Sequence, residues 1–208
     1  MKKIAFLILT IMLCTGTGYG QEKVIKLLEP EKSKGKSIMQ TLSERKSVRS
    51  FDTKSLSKQD LSNLLWAAFG INRPDGKRTA PTARDMREIT IYALMKEGAY
   101  KYDAQNHQLL LIKAGDFRSA LAVSQDYVYQ APVSLVIVAD TNKFEGESKK
   151  YAWVDGGIVS QNINLFCTGT GLVTVPRGFM DKDQLRDILV LKEGEEPILN
   201  NPVGYPLK

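Results

Sequence analysis

The apolar run at residues 133–139, Val-Ser-Leu-Val-Ile-Val-Ala, constrains the fold of this chain more than any other feature. Its length and its β-branched composition are typical of a central β-strand. Alternating patterns and turn residues predict further strands around it. They are expected at residues 88–95, in a meander over 100–112 after a Glu97-Gly98 turn, at 173–175 and at 195–205.

Helix signals lie between these strands. Ser57 and Asp60 form a capping box before an apolar helical face, and Gly70 ends that helix. A long helix is predicted from about residue 151 to 169, and Asp181 caps a shorter one. Because helices and strands mix without strict βαβ alternation, the fold class is predicted as α+β. At 208 residues and 43% hydrophobic, the chain is expected to form one globular domain.

The first twenty residues form a separate unit. Two lysines, an apolar run ending at Cys14 and a stretch of small residues make the pattern of a secretory signal peptide. We therefore expect a signal peptide at 1–20, a polar leader at 21–37 and the functional domain at 38–208. The protein is expected to be exported and periplasmic.

The same segment limits the partners of the chain. A lipid anchor at Cys14 is disfavoured, because Leu13 stands where a lipoprotein signal needs a small residue. The apolar run is shorter than the roughly 20 residues that span a bilayer, so no stable membrane insertion is expected. Cleavage removes two lysines and no acid, which lowers the formal charge from +6 to +4. Such mild basicity does not predict binding to nucleic acid.

Scarce histidine and cysteine exclude several kinds of catalytic site. The only histidine, His107, is predicted at an exposed hairpin tip, and Cys167 is predicted to be a small buried hydrophobe. Neither a zinc site nor a Ser-His-Asp or Cys-His hydrolase can be assembled from one chain with this supply, and no metal site is expected. The Gly169-Thr170-Gly171 stretch follows a predicted helix, so it is interpreted as a helix C-cap and not as a dinucleotide loop.

Residues 44–51, Glu-Arg-Lys-Ser-Val-Arg-Ser-Phe, gather three cations and a hydroxyl. Arginine matches phosphate oxygens bidentately, lysine adds a point charge and serine adds a donor. A solvated helix end would have the same composition. The aromatic Phe51 favours the phosphate interpretation, since its burial would fix the end of the segment.

Four groups of residues, the first of them within this basic segment, occur in a characteristic order. They are Arg45–Arg49; Leu64–Arg73 followed by Arg78–Ala83; Asp155–Asn162; and Gly171–Pro176 with Pro202–Pro206. Together they span about residues 38–206, and their order is more specific than any one of them. The set resembles the FMN-dependent nitroreductase family, and more closely its peptide azoline dehydrogenase branch, which oxidises thiazolines and oxazolines.

The resemblance implies a fold, a cofactor and a partner. It implies a central, mostly antiparallel sheet flanked by helices, in an intertwined homodimer with FMN at the interface. The residues implied to hold the FMN phosphate and ribityl chain are Arg45, Lys46, Ser47 and Arg49. Those implied to reach the flavin from the partner subunit are Pro81, Thr82, Ala83 and Asp85.

The resemblance also implies a reaction centre at residues 176–178. Pro176, Arg177 and Gly178 would run along the flavin ring, with the Gly178 N–H near N5, and Arg177 and Gly178 are the candidate catalytic residues. The chain departs from the family here, because Gly-Gly-Phe or Glu-Gly-Phe is usual where it has Arg177-Gly178-Phe179. It also has Arg84-Asp85 where relatives commonly place asparagine or an aliphatic residue at position 85.

Three of these side chains have alternative interpretations. Arg177 could stabilise reduced flavin, bind a substrate carboxylate, or be a surface arginine beside a glycine turn. Asp85 could cap a helix instead of contacting flavin. Asp155 is interpreted as the N-cap of the long helix and not as a ligand.

The resulting hypothesis is an FMN-dependent oxidoreductase that acts on a small conjugated or nitro-type substrate. Hydride transfer is cofactor chemistry, so the absence of an acid–base machine agrees with it. Two alternatives stay open: a dehydrogenase that passes electrons to oxygen or a membrane carrier, and an exported flavin-binding protein without turnover. The dimer is expected to cover apolar surface around Trp66 and Phe69.

Overall fold

In residues 23–207, which the computed structural model of the protein describes, a 7-stranded sheet forms the centre of the fold. Its strands are β1 (Val24–Lys26), β2 (Ile89–Met95), β3 (Gly98–Asp103), β4 (Gln108–Ala114), β5 (Val133–Asp140), β6 (Val173–Thr174) and β7 (Glu195–Gly204). Their order is β1-β4-β3-β2-β5-β7-β6, and each neighbouring pair is antiparallel. Strand β5 lies between β2 and β7 with residues 133–139 buried, which confirms the predicted central strand.

Helices cover both faces of this sheet. They are α1 (Ile38–Glu44), α2 (Lys58–Phe69), α3 (Ser119–Ala122), α4 (Tyr127–Gln130), α5 (Lys150–Thr170) and α6 (Lys182–Leu189). Alternate residues of β5 point to opposite sides, as the pleat of a strand requires. Leu135 and Ile137 pack with α2 and α5, whereas Val136 and Val138 pack with α3 and α6. The α+β class is therefore confirmed.

The predicted helix ends are confirmed by their hydrogen bonds. The Ser57 hydroxyl accepts the Asp60 N–H at 3.0 Å, and the Asp181 carboxylate accepts the Gln184 N–H at 3.0 Å. Gly171 ends α5 at φ 83°, a left-handed conformation that glycine adopts without strain. Inside α5, a Cβ at Gly156 would collide with the Ile198 side chain, so a glycine there lets the helix lie close to β7.

The leader contains structure that the sequence patterns did not predict. Strand β1 pairs with β4 at the edge of the sheet, and the leader then crosses α2. There the Leu28 N–H donates to the Ser62 hydroxyl at 2.9 Å, and the Glu31 N–H donates to the Asn63 side-chain oxygen at 2.9 Å. Helix α1 follows, with Ser37 as its N-cap. This part of the leader is thus attached to the folded domain.

Predictions about the first twenty residues, including cleavage before Gln21 and the lipid anchor at Cys14, lie outside the described residues. Within residues 23–207, none of the helices combines the length and the hydropathy that a bilayer crossing needs.

Two expectations about exposure are wrong. His107 is half-buried, because its Nε2 bonds the Leu28 carbonyl at 3.0 Å and its Nδ1 bonds the Tyr102 hydroxyl at 2.9 Å. It therefore joins the hairpin tip to the leader, and its burial lowers its pKa. Phe69 is only 4% exposed, and Trp66 is half-buried with its indole N–H bonded to the Ile71 carbonyl. The large exposed apolar side chains lie elsewhere, many of them on α1 and α5.

Candidate functional site

The basic segment Arg45–Arg49 connects α1 to the edge of the sheet beside β6. Its backbone is fixed by the Val48 N–H, which donates to the Thr174 carbonyl at 3.0 Å. Phe51 is 1% exposed and packs with Ala131 and Val175, so the aromatic end of the segment is buried as predicted. The backbone of the segment is therefore fixed at the edge of the sheet, while its cationic side chains are exposed to solvent.

The cations of this segment have no acidic partner in the part of the chain that the structure describes. Arg45, Lys46 and Arg49 are all exposed, as is Ser47 between them. None of the ion pairs or side-chain hydrogen bonds within residues 23–207 involves them. The nearby acid Glu44 is already bonded by Lys36 and Gln40. Three positive charges and a hydroxyl are thus free to receive an anion.

The segment at 176–178 follows β6 and pairs with β7 through an isolated bridge between Arg177 and Asn200. Pro176 and Gly178 are exposed, whereas Arg177 is only 7% exposed. The Arg177 backbone makes two hydrogen bonds to Asn200 of β7, at 2.8 and 2.7 Å. Because Val48 bonds Thr174, the basic segment and this segment adjoin in one protomer.

The Arg177 side chain lies inside the protein, so its interpretation as a surface arginine is wrong. Its Nε donates to the Gln125 side chain at 3.0 Å, and its Nη1 donates to the Leu121 carbonyl at 3.0 Å and the Asn200 side chain at 2.8 Å. Its Nη2 is buried without a partner among the described residues. Burial lowers the pKa of Arg177, but a guanidinium stays charged in proteins. The site therefore holds a cation that is fixed inside the protein, with the Tyr127 ring beside it.

Gly178 stands in open space. A Cβ built on it meets no atom of the protomer within 4 Å, and its φ does not lie in the left-handed region. Neither packing nor backbone conformation within one protomer requires glycine here. A requirement for glycine must come from something that binds against this surface.

The loop at residues 81–85 is a separate cluster near the start of α5. A 3-10 turn spans Ala83–Asp85, and Arg84 and Asp85 both have φ 56°, which costs about 1–2 kcal/mol for each non-glycine residue. The Asp155 carboxylate accepts the Ala83 N–H at 2.7 Å and holds the turn against α5. In residues 23–207, no hydrogen bond or ion pair joins this loop to Arg45–Arg49 or to 176–178.

Two interpretations of carboxylates are wrong. Asp85 caps no helix: it forms a bidentate ion pair with Arg87, at 3.0 and 2.8 Å, and this pair lowers the pKa of Asp85. Asp155 is not the N-cap of α5, because the helix begins at Lys150 and Asp155 lies within it. It caps the backbone of the 81–85 loop instead.

Several residues of the site escaped the sequence analysis. Gln125 and Asn200 hold Arg177, and Glu88 lies beside Asp155 in the interior. One signal was present, since Asn200-Asn201 is a polar pair between the apolar residues Pro197–Leu199 and Pro202–Val203 of the final strand. Among the described residues, no cluster of His, Cys, Asp or Glu has the arrangement of a metal site.

The comparison with known proteins can now be set against this geometry. Residues 42–205 match the sequence model of the Nitroreductase family. The chain belongs to the nitroreductase family. It is 31% identical over 180 residues to a provisionally named nitroreductase of Methanocaldococcus jannaschii, covering 80% of this chain and 90% of the relative.

Solved and characterised relatives agree with this membership. A provisionally named nitroreductase structure from Ralstonia eutropha has a TM-score of 0.84 and 38% sequence identity, over 90% of this chain and 91% of that one. A 4-nitrobenzoate reductase of Pseudomonas putida is 32% identical over 79 residues, which is 37% of this chain and 33% of that protein. The predicted nitroreductase fold is confirmed, and the chain is a member of an oxidoreductase family.

Proposed function

We propose that this nitroreductase-family protein is an FMN-dependent oxidoreductase that acts as a homodimer on a small conjugated or nitro-type substrate. The observation that carries the proposal is the cluster of Arg45, Lys46 and Arg49, three exposed cations on a fixed backbone with no acidic partner among residues 23–207. Such a cluster fits one terminal phosphate, because each charge-assisted hydrogen bond contributes about 1.5–3 kcal/mol.

The described residues fit FMN in two respects. Arg45, Lys46, Ser47 and Arg49 would hold the phosphate and ribityl chain. Bound FMN would supply hydride exchange at its N5. The open surface at Gly178 would accept the flavin ring edge, since no atom of the protomer occupies the space above it.

Arg177 is proposed to act from beneath this surface. Its three hydrogen bonds fix the guanidinium inside the protein, so its positive charge would act on an anionic group of flavin or substrate through the protein and not by a direct hydrogen bond. A preorganised cation contributes most where charge develops in a site that excludes water. The same bonds attach 176–178 to β7, so Arg177 also positions the backbone of Gly178.

A second copy of the chain is the proposed partner. Helix α1 exposes Met39 by 73% and α5 exposes Val154 by 56%, and both helices line one cleft through Ile38 and Leu165. Gly157 of α5 adds a second observation, because a Cβ there meets no atom within 4 Å. Glycine inside a helix costs about 1 kcal/mol relative to alanine, which close approach of another subunit would offset. That subunit would bring its own 81–85 loop to the flavin.

The proposal extends to the substrate class and to the cellular location of the protein. A relative named 4-nitrobenzoate reductase favours a nitroaromatic acceptor. Activity on thiazolines or oxazolines rests only on the sequence resemblance to azoline dehydrogenases. Export to the periplasm rests on the signal-peptide pattern of residues 1–20.

The purified protein is expected to be yellow and to release FMN, not FAD. Mass spectrometry of the ligand released on denaturation checks this result. Added FMN at about a hundred times its dissociation constant should stabilise the folded chain by about 2.7 kcal/mol. A colourless protein with a melting curve that is insensitive to FMN would contradict the proposal.

Gly178→Val is expected to slow reoxidation of the flavin while its FMN content stays near normal. The space above Gly178 is open in the protomer, so the new side chain should not disturb folding and should displace only what binds there. A displacement of about 1 Å at a reacting centre can cost up to about a hundredfold in rate. Stopped-flow reoxidation by oxygen and by a nitroaromatic acceptor measures the effect.

Gly171→Val provides a contrasting variant for that experiment. Gly171 also has open space, but its φ of 83° makes valine strained there, so this variant should lose stability and not reactivity. Reoxidation traces of Gly178→Val that overlay the wild type would remove 176–178 from the reaction centre.

A further inference from the structure

Two acidic side chains lie together in the interior of the protein. Glu88 precedes β2 and is 2% exposed, and Asp155 in α5 is 4% exposed. The carboxyl group of Glu88 lies within hydrogen-bonding contact of the Asp155 carboxyl group. No N–H or O–H donor of any other described residue is bonded to either carboxyl oxygen of Glu88. Two ionised carboxylates cannot share such a place, because they repel and neither has a proton to donate.

The contacts assign the proton of this pair to Glu88. Asp155 accepts the Ala83 N–H at 2.7 Å and so already acts as an acceptor, whereas Glu88 accepts no such bond from a neighbouring residue. Burial, and secondly the neighbouring Asp155, raise the pKa of Glu88 to about 7. Lys143 is the cation that opposes this shift, and its ammonium is bonded to the Met86 and Arg87 carbonyls.

Asp155 connects this pair to the 81–85 loop. Its Oδ2 is bonded to Ala83, and the loop is held in a strained conformation at Arg84 and Asp85. Such strain persists only while the surroundings impose it. Asp155 is therefore a restraint on the loop, and the partner of Asp155 controls its orientation.

We propose that protonated Glu88 donates a hydrogen bond to Asp155 and thereby positions the 81–85 loop, so that loss of this single proton releases the loop. The inference rests on the proposed function in one respect, since that function makes the loop the partner's contribution to the flavin site. Glu88 is a positioning residue here and touches neither cofactor nor substrate. Flavin affinity should then fall as pH rises through about 7.

The sign follows from proton linkage. The folded state holds the Glu88 proton up to about pH 7, whereas the unfolded chain releases it near the ordinary value of 4.5. Stability from the pair is fully present below pH 4.5 and is lost as the pH rises to about 7. Above that pH the ionised pair remains buried and repels.

Glu88→Gln separates the proton from the shape of the side chain, because its amide always carries a donor for Asp155. Glu147→Gln is the matched control, since the Glu147 side chain is 95% exposed. The first readout is the unfolding midpoint of the purified chain from pH 5 to 8.5. Glu88→Gln should gain stability relative to the wild type as the pH rises from 5 to about 7 and keep that gain at higher pH, whereas Glu147→Gln should follow the wild type.

The second readout reports the loop. Trypsin cleavage after Arg84, located by mass spectrometry, should match between wild type and Glu88→Gln at pH 6 and be slower in Glu88→Gln at pH 8. The third readout is the dissociation constant of FMN, from fluorescence quenching. In the wild type it should rise by up to about tenfold for each pH unit above 7, because one proton is involved, and it should stay constant in Glu88→Gln.

The outcomes are distinguishable. Identical pH dependence of unfolding in wild type and Glu88→Gln would overturn the shared proton. Different unfolding with unchanged loop cleavage would overturn the positioning role. If no variant binds FMN, the proposed function fails while unfolding and cleavage still decide the inference. Should Glu88→Gln fail to fold, Asp155→Asn replaces it, because the new amide can donate to ionised Glu88. This variant should move the pH dependence of unfolding to lower pH. An unfolding profile that does not move would count against the shared proton.

Discussion

Replacing Arg45 and Arg49 together by alanine is expected to abolish retention of FMN during purification. Both side chains are exposed and lack an acidic partner in residues 23–207, so the structure of the protomer does not depend on them. Each would contribute charge-assisted hydrogen bonds to phosphate worth about 1.5–3 kcal/mol. Loss of both should therefore weaken FMN binding by a factor on the order of 10² to 10⁴.

Lys58→Ala is the control, because Lys58 is an exposed cation at the start of α2 and its loss removes one positive charge outside the cluster. Arg45→Lys and Arg49→Lys should show intermediate affinities, since lysine keeps the charge but loses the bidentate geometry. Isothermal titration with FMN at low and high salt gives the affinities. Equal affinity in the double mutant and in Lys58→Ala would reduce the cluster to a solvated surface.

The fold was predictable where local sequence determines local structure. Ser57 and Asp181 mark helix starts because their side chains satisfy backbone N–H groups that are three residues away. The strand at 133–139 was predicted from a length and a β-branched composition that are typical of a buried strand. Strand β1 was missed because three residues carry no period, and Val24–Lys26 becomes a strand only by pairing with β4.

The site was less predictable because its contacts join distant parts of the chain. Arg177 is held by Leu121, Gln125 and Asn200, and no local pattern around position 177 contains those partners. Asp155 resembled a helix cap because the 3-10 turn Gly146–Lys149, which precedes α5, has no sequence signal of its own. Only the cationic segment Arg45–Arg49 could be predicted from local sequence, because binding a phosphate needs several positive charges, and here they are close together in the chain.

The proposed homodimer provides the second large expected effect, since the proposed flavin site is incomplete in one protomer. Met39→Glu combined with Val154→Glu should give a folded monomer that holds no FMN. Both positions are mainly exposed in the protomer, at 73% and 56%, so the substitutions should leave its core intact. In a two-fold interface each substitution occurs twice, and each buried unpaired carboxylate costs several kcal/mol.

Val190→Glu tests whether any added charge has the same effect. Val190 is 72% exposed at the end of α6, and α6 packs on the face of the sheet opposite to α5. The Val190→Glu variant should remain a dimer with full FMN content. Light scattering at micromolar concentration, with flavin measured by absorbance on the same sample, separates the variants. A double mutant that stays dimeric and yellow would exclude α1 and α5 as the interface. A yellow monomer would show that one subunit suffices for the flavin site and that the partner's 81–85 loop is not part of it.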